Sequence, residues 1–313
     1  MSRALFTVVL AFMLMPVALA RAATPTITAT IATPGPPGGL VATDAAMWSS
    51  GRGQISRIDA ATDTLALALP FGTLPWLAVG EGSVWADGPQ TAGVDATTVT
   101  RLDPVTGATQ ATIGVGAGPT GIGFTPGAVW VANHHGGTVS RIDPQTNAEV
   151  AVVPLEKPSI GGPQAVLGTP EGVWVGVPNM NAIVRIDPAT NALVEVLRVN
   201  ACVCTSHLVE DAEGGIWFGS DFHKNAVVHV WPHTHRVTWV PVNGPGKPED
   251  PSFLDGFIWV PTDTGDLAQI DPATDRVVST TTIGGTLHFS AVAFGSLWLG
   301  DDAGNQILRV TVR

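Results

Sequence analysis

Seven tryptophans set the frame of this chain: Trp48, Trp85, Trp130, Trp174, Trp217, Trp259 and Trp298 recur at intervals of 37, 45, 44, 43, 42 and 39 residues. Each sits in a short apolar run such as AVWVAN, GVWVGV or SLWLGD. Runs that are apolar on both faces are what a strand sandwiched between two neighbouring sheets requires. The clearest copy of the surrounding unit is Gly118 to Val150. There Gly121 to Thr125 reads as one strand, Pro126-Gly127 as a turn, Ala128 to Asn133 as a second strand and Thr138 to Asp143 as a third, after which Pro144 to Asn147 turn the chain into a fourth. A sheet of four short strands cannot bury both of its faces alone, so the unit must stack on copies of itself.

The turn between third and fourth strands recurs as Asp59-Ala-Ala-Thr62, Asp103-Pro-Val-Thr106, Asp143-Pro-Gln-Thr146, Asp187-Pro-Ala-Thr190 and Asp271-Pro-Ala-Thr274. The Asp caps backbone N–H groups, Pro fixes φ at the next position, and Asn147, Asn191 or Gly107 tolerates the left-handed conformation that ends the turn. Unit five departs from this rule with Trp231-Pro-His-Thr234-His235. Unit seven stops at Arg313 without a fourth strand, while residues 26–33 (TITATIAT) form a strand with nothing before it. Pairing the two ends closes a ring and leaves no open sheet edge. The expected fold is all-β: a seven-bladed β-propeller of four-stranded antiparallel blades, one domain over residues 23–313, closed by its N-terminal strand.

Residues 1–22 read as a secretory signal, with Arg3 at the positive start, Ala4 to Ala18 as the apolar run and Ala20-Arg21-Ala22 as a small-x-small cleavage site. Its removal leaves 13 cations against 26 acids, a charge of −13 with His neutral. Such a surface repels nucleic acid and anionic lipid. No later run approaches the roughly 20 apolar residues of a membrane span. The expectation is an exported monomer, secreted or periplasmic, whose partner is a small molecule or a protein.

The segments VWVANHHGGTVSRIDPQTNAEV and ATIGVGAGPTGIGF resemble the Tyr-Val-Thr-Asn repeat propellers and the similar streptogramin (virginiamycin B) lyases, and the resemblance extends over residues 26–313. For the lyases it implies opening of a cyclic depsipeptide by elimination, assisted by a divalent metal, normally magnesium. It also implies working His and Glu residues near the starts of inner strands in adjacent blades, with a further Glu beyond a second-strand aromatic. In this chain His207 takes one such inner-strand position. The next blade reads Asp250-Pro251-Ser252 where the family has Glu-x-His, and Thr262-Asp263 where it has the further Glu.

Propeller geometry sorts the remaining candidates by face. With inner strands running downward, His134, His135, His207, Asp221, His223 and His288 fall on the upper face, and His233 and His235 on the lower. His207 and His288 begin inner strands and, with Asp250, form a candidate catalytic set, since imidazole titrates near neutrality and can act as acid, base or metal ligand. Trp76, outside the repeat position, joins His134, His135, Asp221 and His223 as a candidate ligand-binding set. Cys202-Val-Cys204 followed by His207 has three readings: a strained, easily reduced disulfide, two free thiols, or a soft-metal site completed by His223. The preferred function is ligand or partner binding on the upper face, the alternative a metal-assisted lyase, and a His at position 252 would have favoured the lyase.

Overall fold

The computed structural model describes residues 22–73, 75–87, 96–155, 162–200, 202–205, 207–220 and 225–313. Residues 1–21, most of the expected signal, lie outside them. Seven antiparallel sheets form the ring. Blade three has Pro119–Thr125, Ala128–Asn133, Thr138–Asp143 and Ala148–Pro154 in order from the axis outward, so the second and third strands fall where the sequence places them. In blade one the long strand Ala46–Asp59 takes both middle places: its first half pairs with Pro37–Ala42 and its second with Thr64–Thr73. Pro25–Ala32 pairs with Gln306–Val312 as the outer strand of blade seven, from Pro25 opposite Val312 to Ala32 opposite Gln306. The ring is closed as the orphan strand requires.

All seven repeat tryptophans are buried, none more than 2% exposed. Each packs into the sheet of the following blade. Trp130 meets Val173, Val175 and Val184 of blade four, Trp217 meets Ile258 and Val260 of blade six, and Trp298 of blade seven meets Leu40 and Met47 of blade one. Burying an indole removes 150–250 Å² from water, roughly 4–6 kcal/mol of transfer free energy for each blade junction.

A second repeated device joins the blades at the lower face. The guanidinium carbons of Arg101, Arg141, Arg185 and Arg309 lie 5.1–5.6 Å from the ring centroids of Trp85, Trp130, Trp174 and Trp298 in their own blades. Arg141 then reaches blade four, donating to Pro188 O at 2.9 Å and Asn191 Oδ1 at 2.8 Å. Arg101 does the same to Pro144 O and Asn147 Oδ1, and Arg309 to Ala60 O and Asp63 Oδ1 across the ring closure. The acceptors Asn147, Asn191 and Asp63 are the left-handed residues of the Asp turns, with φ of 54°, 58° and 53°. One residue therefore ends the turn and receives the latch.

Blade five replaces these parts. His229 stands at the arginine position and stacks on Trp217 at 3.9 Å. Its Nδ1 lies 2.6 Å from Oδ1 of Asp275, the left-handed residue of blade six, and its Nε2 is 3.3 Å from Asp211 Oδ2. Asp211 also accepts Trp217 Nε1–H at 2.7 Å and the Gly215 N–H at 2.8 Å. Burial works to raise the Asp211 carboxyl, but these hydrogen bonds and the His229 charge outweigh it and hold the group below its ordinary range. The blade-five turn, Pro232–Thr234, is a short 3₁₀ turn without a side-chain cap, and it ends in left-handed His235.

Candidate functional site

The inner strands converge on an axis lined mainly by aliphatic and aromatic side chains. Two cavities of about 350 and 330 Å³ lie along it. Val41, Leu77, Ile122, Phe124 and Val166 line the smaller, and Glu210, Ser252 and Ser290 give the larger its polar side. His207 and Leu208 border both. Burial, with the charges of Glu171 and Asp211 behind it, pushes the Glu210 carboxyl above its ordinary range.

His207 is placed by the chain leading into the short inner strand Val209–Glu210. Its Nδ1 is 3.0 Å from Asp250 Oδ2. The other oxygen of Asp250 is 2.9 Å from the Thr205 hydroxyl, and Asp250 itself is 7% exposed. Desolvation disfavours the charged imidazole, yet the hydrogen bond and charge of Asp250 prevail and hold His207 above its ordinary range. With Nδ1 tied to the carboxylate, the ring has a fixed orientation at the junction of the two cavities.

Glu249 and Asp250 reach in opposite directions, as consecutive side chains on an extended segment do. Asp250 turns to blade five, while Glu249 Oε1 lies 4.0 Å from Nε2 of His288 in blade seven. The Nδ1 of His288 pairs with Asp302 Oδ2 at 2.9 Å. The structure thus brings His207 and Asp250 together and gives His288 different partners. Ser252, at the position where the lyases carry His, is 5% exposed, and its hydroxyl lies 2.7 Å from that of Ser290, which donates to Asp250 O.

Trp76 meets Phe289 edge-on, with centroids 6.3 Å apart. Its backbone N–H donates to buried Asp87, whose carboxyl burial pushes well above the carboxylate range. His134 is held against Pro163 O at 3.3 Å, and burial lowers its pKa. His135 packs against it at 5.2 Å, away from the dyad of His207 and Asp250. Asp221 and His223 lie outside the described residues. Cys202 and Cys204 are disulfide-bonded, which decides among the three readings of that pair and leaves no thiolate for a metal. Among the described residues no three His, Cys, Asp or Glu side chains converge as ligands of one ion. Magnesium asks for a near-octahedral set of oxygen donors, and here both Asp250 oxygens are held by Thr205 and His207, so the described residues do not fit it.

Sequence reasoning passed over His229, Asp211 and Asp302. The first had a signal: Arg57, Arg101, Arg141, Arg185 and Arg309 share one repeat position, which reads His229 in unit five and Gln269 in unit six. Asp211 and Asp302 lie outside that column, and the role of Asp302 depends on where the loop after the second strand turns.

The paired histidines carry a pH prediction. The Asp302 hydrogen bond raises His288, burial opposes it, and the charges of Glu249, Asp302 and Asp263 add to the rise. A raised folded-state pKa gives stability that is fully present below the ordinary 6.5 and is lost as pH rises through the folded value. His207 contributes with the same sign. Melting temperature is therefore expected to fall as pH climbs from 6 into the alkaline range, with a smaller fall in Asp302→Asn. An equal fall in both proteins would refute the assignment to His288.

These features define a seven-bladed β-propeller closed by its N-terminal strand, with an imidazole–carboxylate pair at the top of an apolar channel. No protein-family model matches the chain, and no curated protein does. Among solved structures, one described as "Streptogramin B lyase structure" is similar in fold, with a TM-score of 0.72 at 16% identity, covering 92% of this chain and 98% of that one.

Proposed function

We propose that the protein is an exported propeller that binds a small ligand or a protein segment at its upper face, with an apolar part entering the channel and a polar group meeting His207. The observation that carries this reading is the position of His207. Asp250 orients it, and it borders both apolar cavities. Apolar walls with a few fixed polar groups are the usual make-up of a small-molecule site.

The test is a thermal-shift screen of amphipathic compounds against wild type and His207→Ala. A ligand at 100 times its Kd should stabilise by about 2.7 kcal/mol, roughly 4–5 °C for a domain of this size. The shift should shrink or vanish in His207→Ala. A screen without hits, or hits indifferent to position 207, would sink the proposal. Export is tested separately by the mass of the protein recovered outside the cytoplasm, which should begin near Ala23.

The second reading, a lyase, is favoured by the likeness in fold over nearly the whole length of both chains. Incubation with a cyclic depsipeptide of the streptogramin B type and magnesium decides it. Ring opening is not expected, because Ser252 offers no imidazole and its hydroxyl is bound to Ser290. A ring-opened product of unchanged mass and altered retention, carrying the C=C bond that elimination leaves and lost in His207→Ala, would reverse that preference.

A further inference from the structure

Blade five contains a disulfide that the scaffold does not need. Cys202 and Cys204 are bridged across a single residue. So small a loop removes little freedom from the unfolded chain, so this bridge adds little to stability by that route. The segment is anchored instead by Val203, which is fully buried in a core with Ala165, Trp174 and Phe218. With Val203 turned inward, alternation along an extended stretch sends both cysteines to the other side, where both are partly exposed.

What lies on that side is chemically specific. Cys204 lines a small polar pocket of about 40 Å³ together with Thr205, Glu249 and Asp250. From Cys204 the chain passes at once to Thr205, whose hydroxyl is 2.9 Å from Asp250 Oδ1, and Asp250 Oδ2 is 3.0 Å from His207 Nδ1. The disulfide, the Thr205 hydroxyl and the buried Asp250 carboxylate thus stand around one pocket, and the His207 imidazole is bonded to the second oxygen of that carboxylate. Cys202 does not line the pocket.

We propose that the Cys202–Cys204 bridge is a redox-active disulfide that exchanges with external dithiols, with Cys204 as the sulfur attacked and the His207–Asp250 pair as its positioning acid–base partner. In the first step a substrate thiolate forms a bond to Cys204 Sγ. The Cys202–Cys204 bond breaks, and Cys202 Sγ leaves as a thiolate and takes up a proton. In the second step the other thiol of the substrate loses its proton and attacks the substrate sulfur of the mixed disulfide, releasing Cys204 Sγ, which is protonated in turn. The dithiol becomes a disulfide, the protein becomes a dithiol, and two electrons and two protons have moved to the protein. The imidazole, reached through the Asp250 carboxylate that lines the pocket, holds and returns the proton that the released sulfur exchanges. A second disulfide of suitable potential reverses the sequence and restores the bridge.

The full chain is equilibrated with mixtures of reduced and oxidised glutathione, quenched in acid, alkylated with N-ethylmaleimide and weighed intact. As isolated it should take up no maleimide, and it should pass to two additions across the glutathione series. Reduction by dithiothreitol should be about 10-fold or more faster than for the isolated peptide of residues 200–208, because only the folded chain places Asp250, with His207 bonded to it, at the pocket that Cys204 lines. In His207→Ala and Asp250→Asn the rate should fall toward that of the peptide, and the dependence on imidazole ionisation between pH 6 and 8 should disappear. Two reactive thiols in the protein as isolated would overturn the proposal. So would a bridge that resists reduction in the folded chain, or a rate equal to that of the peptide. None of these outcomes depends on whether the channel binds a ligand, so the two proposals fail separately.

Discussion

Replacing His229 by alanine is expected to destabilise the propeller by about 3–5 kcal/mol, lowering its melting temperature by roughly 5–8 °C. The imidazole is fully buried between the carboxylates of Asp211 and Asp275 and against the rings of Trp217 and Trp231, with centroids at 3.9 and 4.3 Å. Alanine removes the partner of two buried or nearly buried acids and leaves a ring-sized gap between two indoles. Gly215 cannot fill that gap. An ideal Cβ there would stand 2.1 Å from His229 Nε2, so the glycine exists to admit the imidazole. His229→Gln should recover part of the loss, because an amide can still donate to Asp275 and Gln269 takes the same place in blade six. The acid side has a definite sign. Asp211 is held below its ordinary range, so its stabilisation is present above about pH 3.8 and is lost as pH falls through the folded value. The deficit of His229→Ala should therefore narrow in acid. Melts followed by tryptophan fluorescence at pH 7 and 3.5 measure both effects, and a loss below about 1 kcal/mol at pH 7 would refute the role given to His229.

The ring was legible in the sequence because its rules are local and repeated, the Trp strand seven times and the Asp turn five. A Trp in a two-sided apolar strand, an Asp-capped turn and a left-handed Asn each follow from the chemistry of a few neighbouring residues. Together with the orphan strand near residue 25 they determine the number of blades and the closure. The site was legible only in part. His207 and Asp250 meet because both begin adjacent inner strands, and topology alone brings such positions close. The partners of His288 follow from features that no local rule specifies: which way Glu249 turns relative to Asp250, and where the loop carrying Asp302 folds back. The latch arginines were visible as a column in the repeat, and their exchange for His229 could have been seen by comparing units. Its meaning depended on Asp211 and Asp275, which come from two different blades.

Gly168→Ala is expected to cost about 3 kcal/mol or more, with a melting temperature lower by roughly 5 °C or more, although it adds a single methyl group. Gly168 lies in the inner strand Ala165–Thr169 of blade four, where the sheets approach the axis and adjacent inner strands are forced together. A Cβ at this position would stand 1.6 Å from Phe124 O and 2.6 Å from Phe124 C, both backbone atoms of blade three. No side-chain rotation relieves a contact with main chain, so the two strands must separate. The same seam explains Gly121 and Gly123, whose added Cβ atoms would meet Gln164 O at 2.2 Å and Val166 Cγ1 at 2.7 Å. Across it the Gly121 N–H donates to Gln164 O at 2.7 Å, a backbone bond between blades that separation would break. The control is Gly114→Ala. There an added Cβ meets nothing within 4 Å, and the change should stay within about 0.5 kcal/mol. Because Phe124 and Gly168 both line the 330 Å³ cavity, the spread of the seam should also weaken any ligand held beside His207. Equal melting temperatures for the two alanine variants would show that the inner strands do not rest on one another as closely as these glycines require.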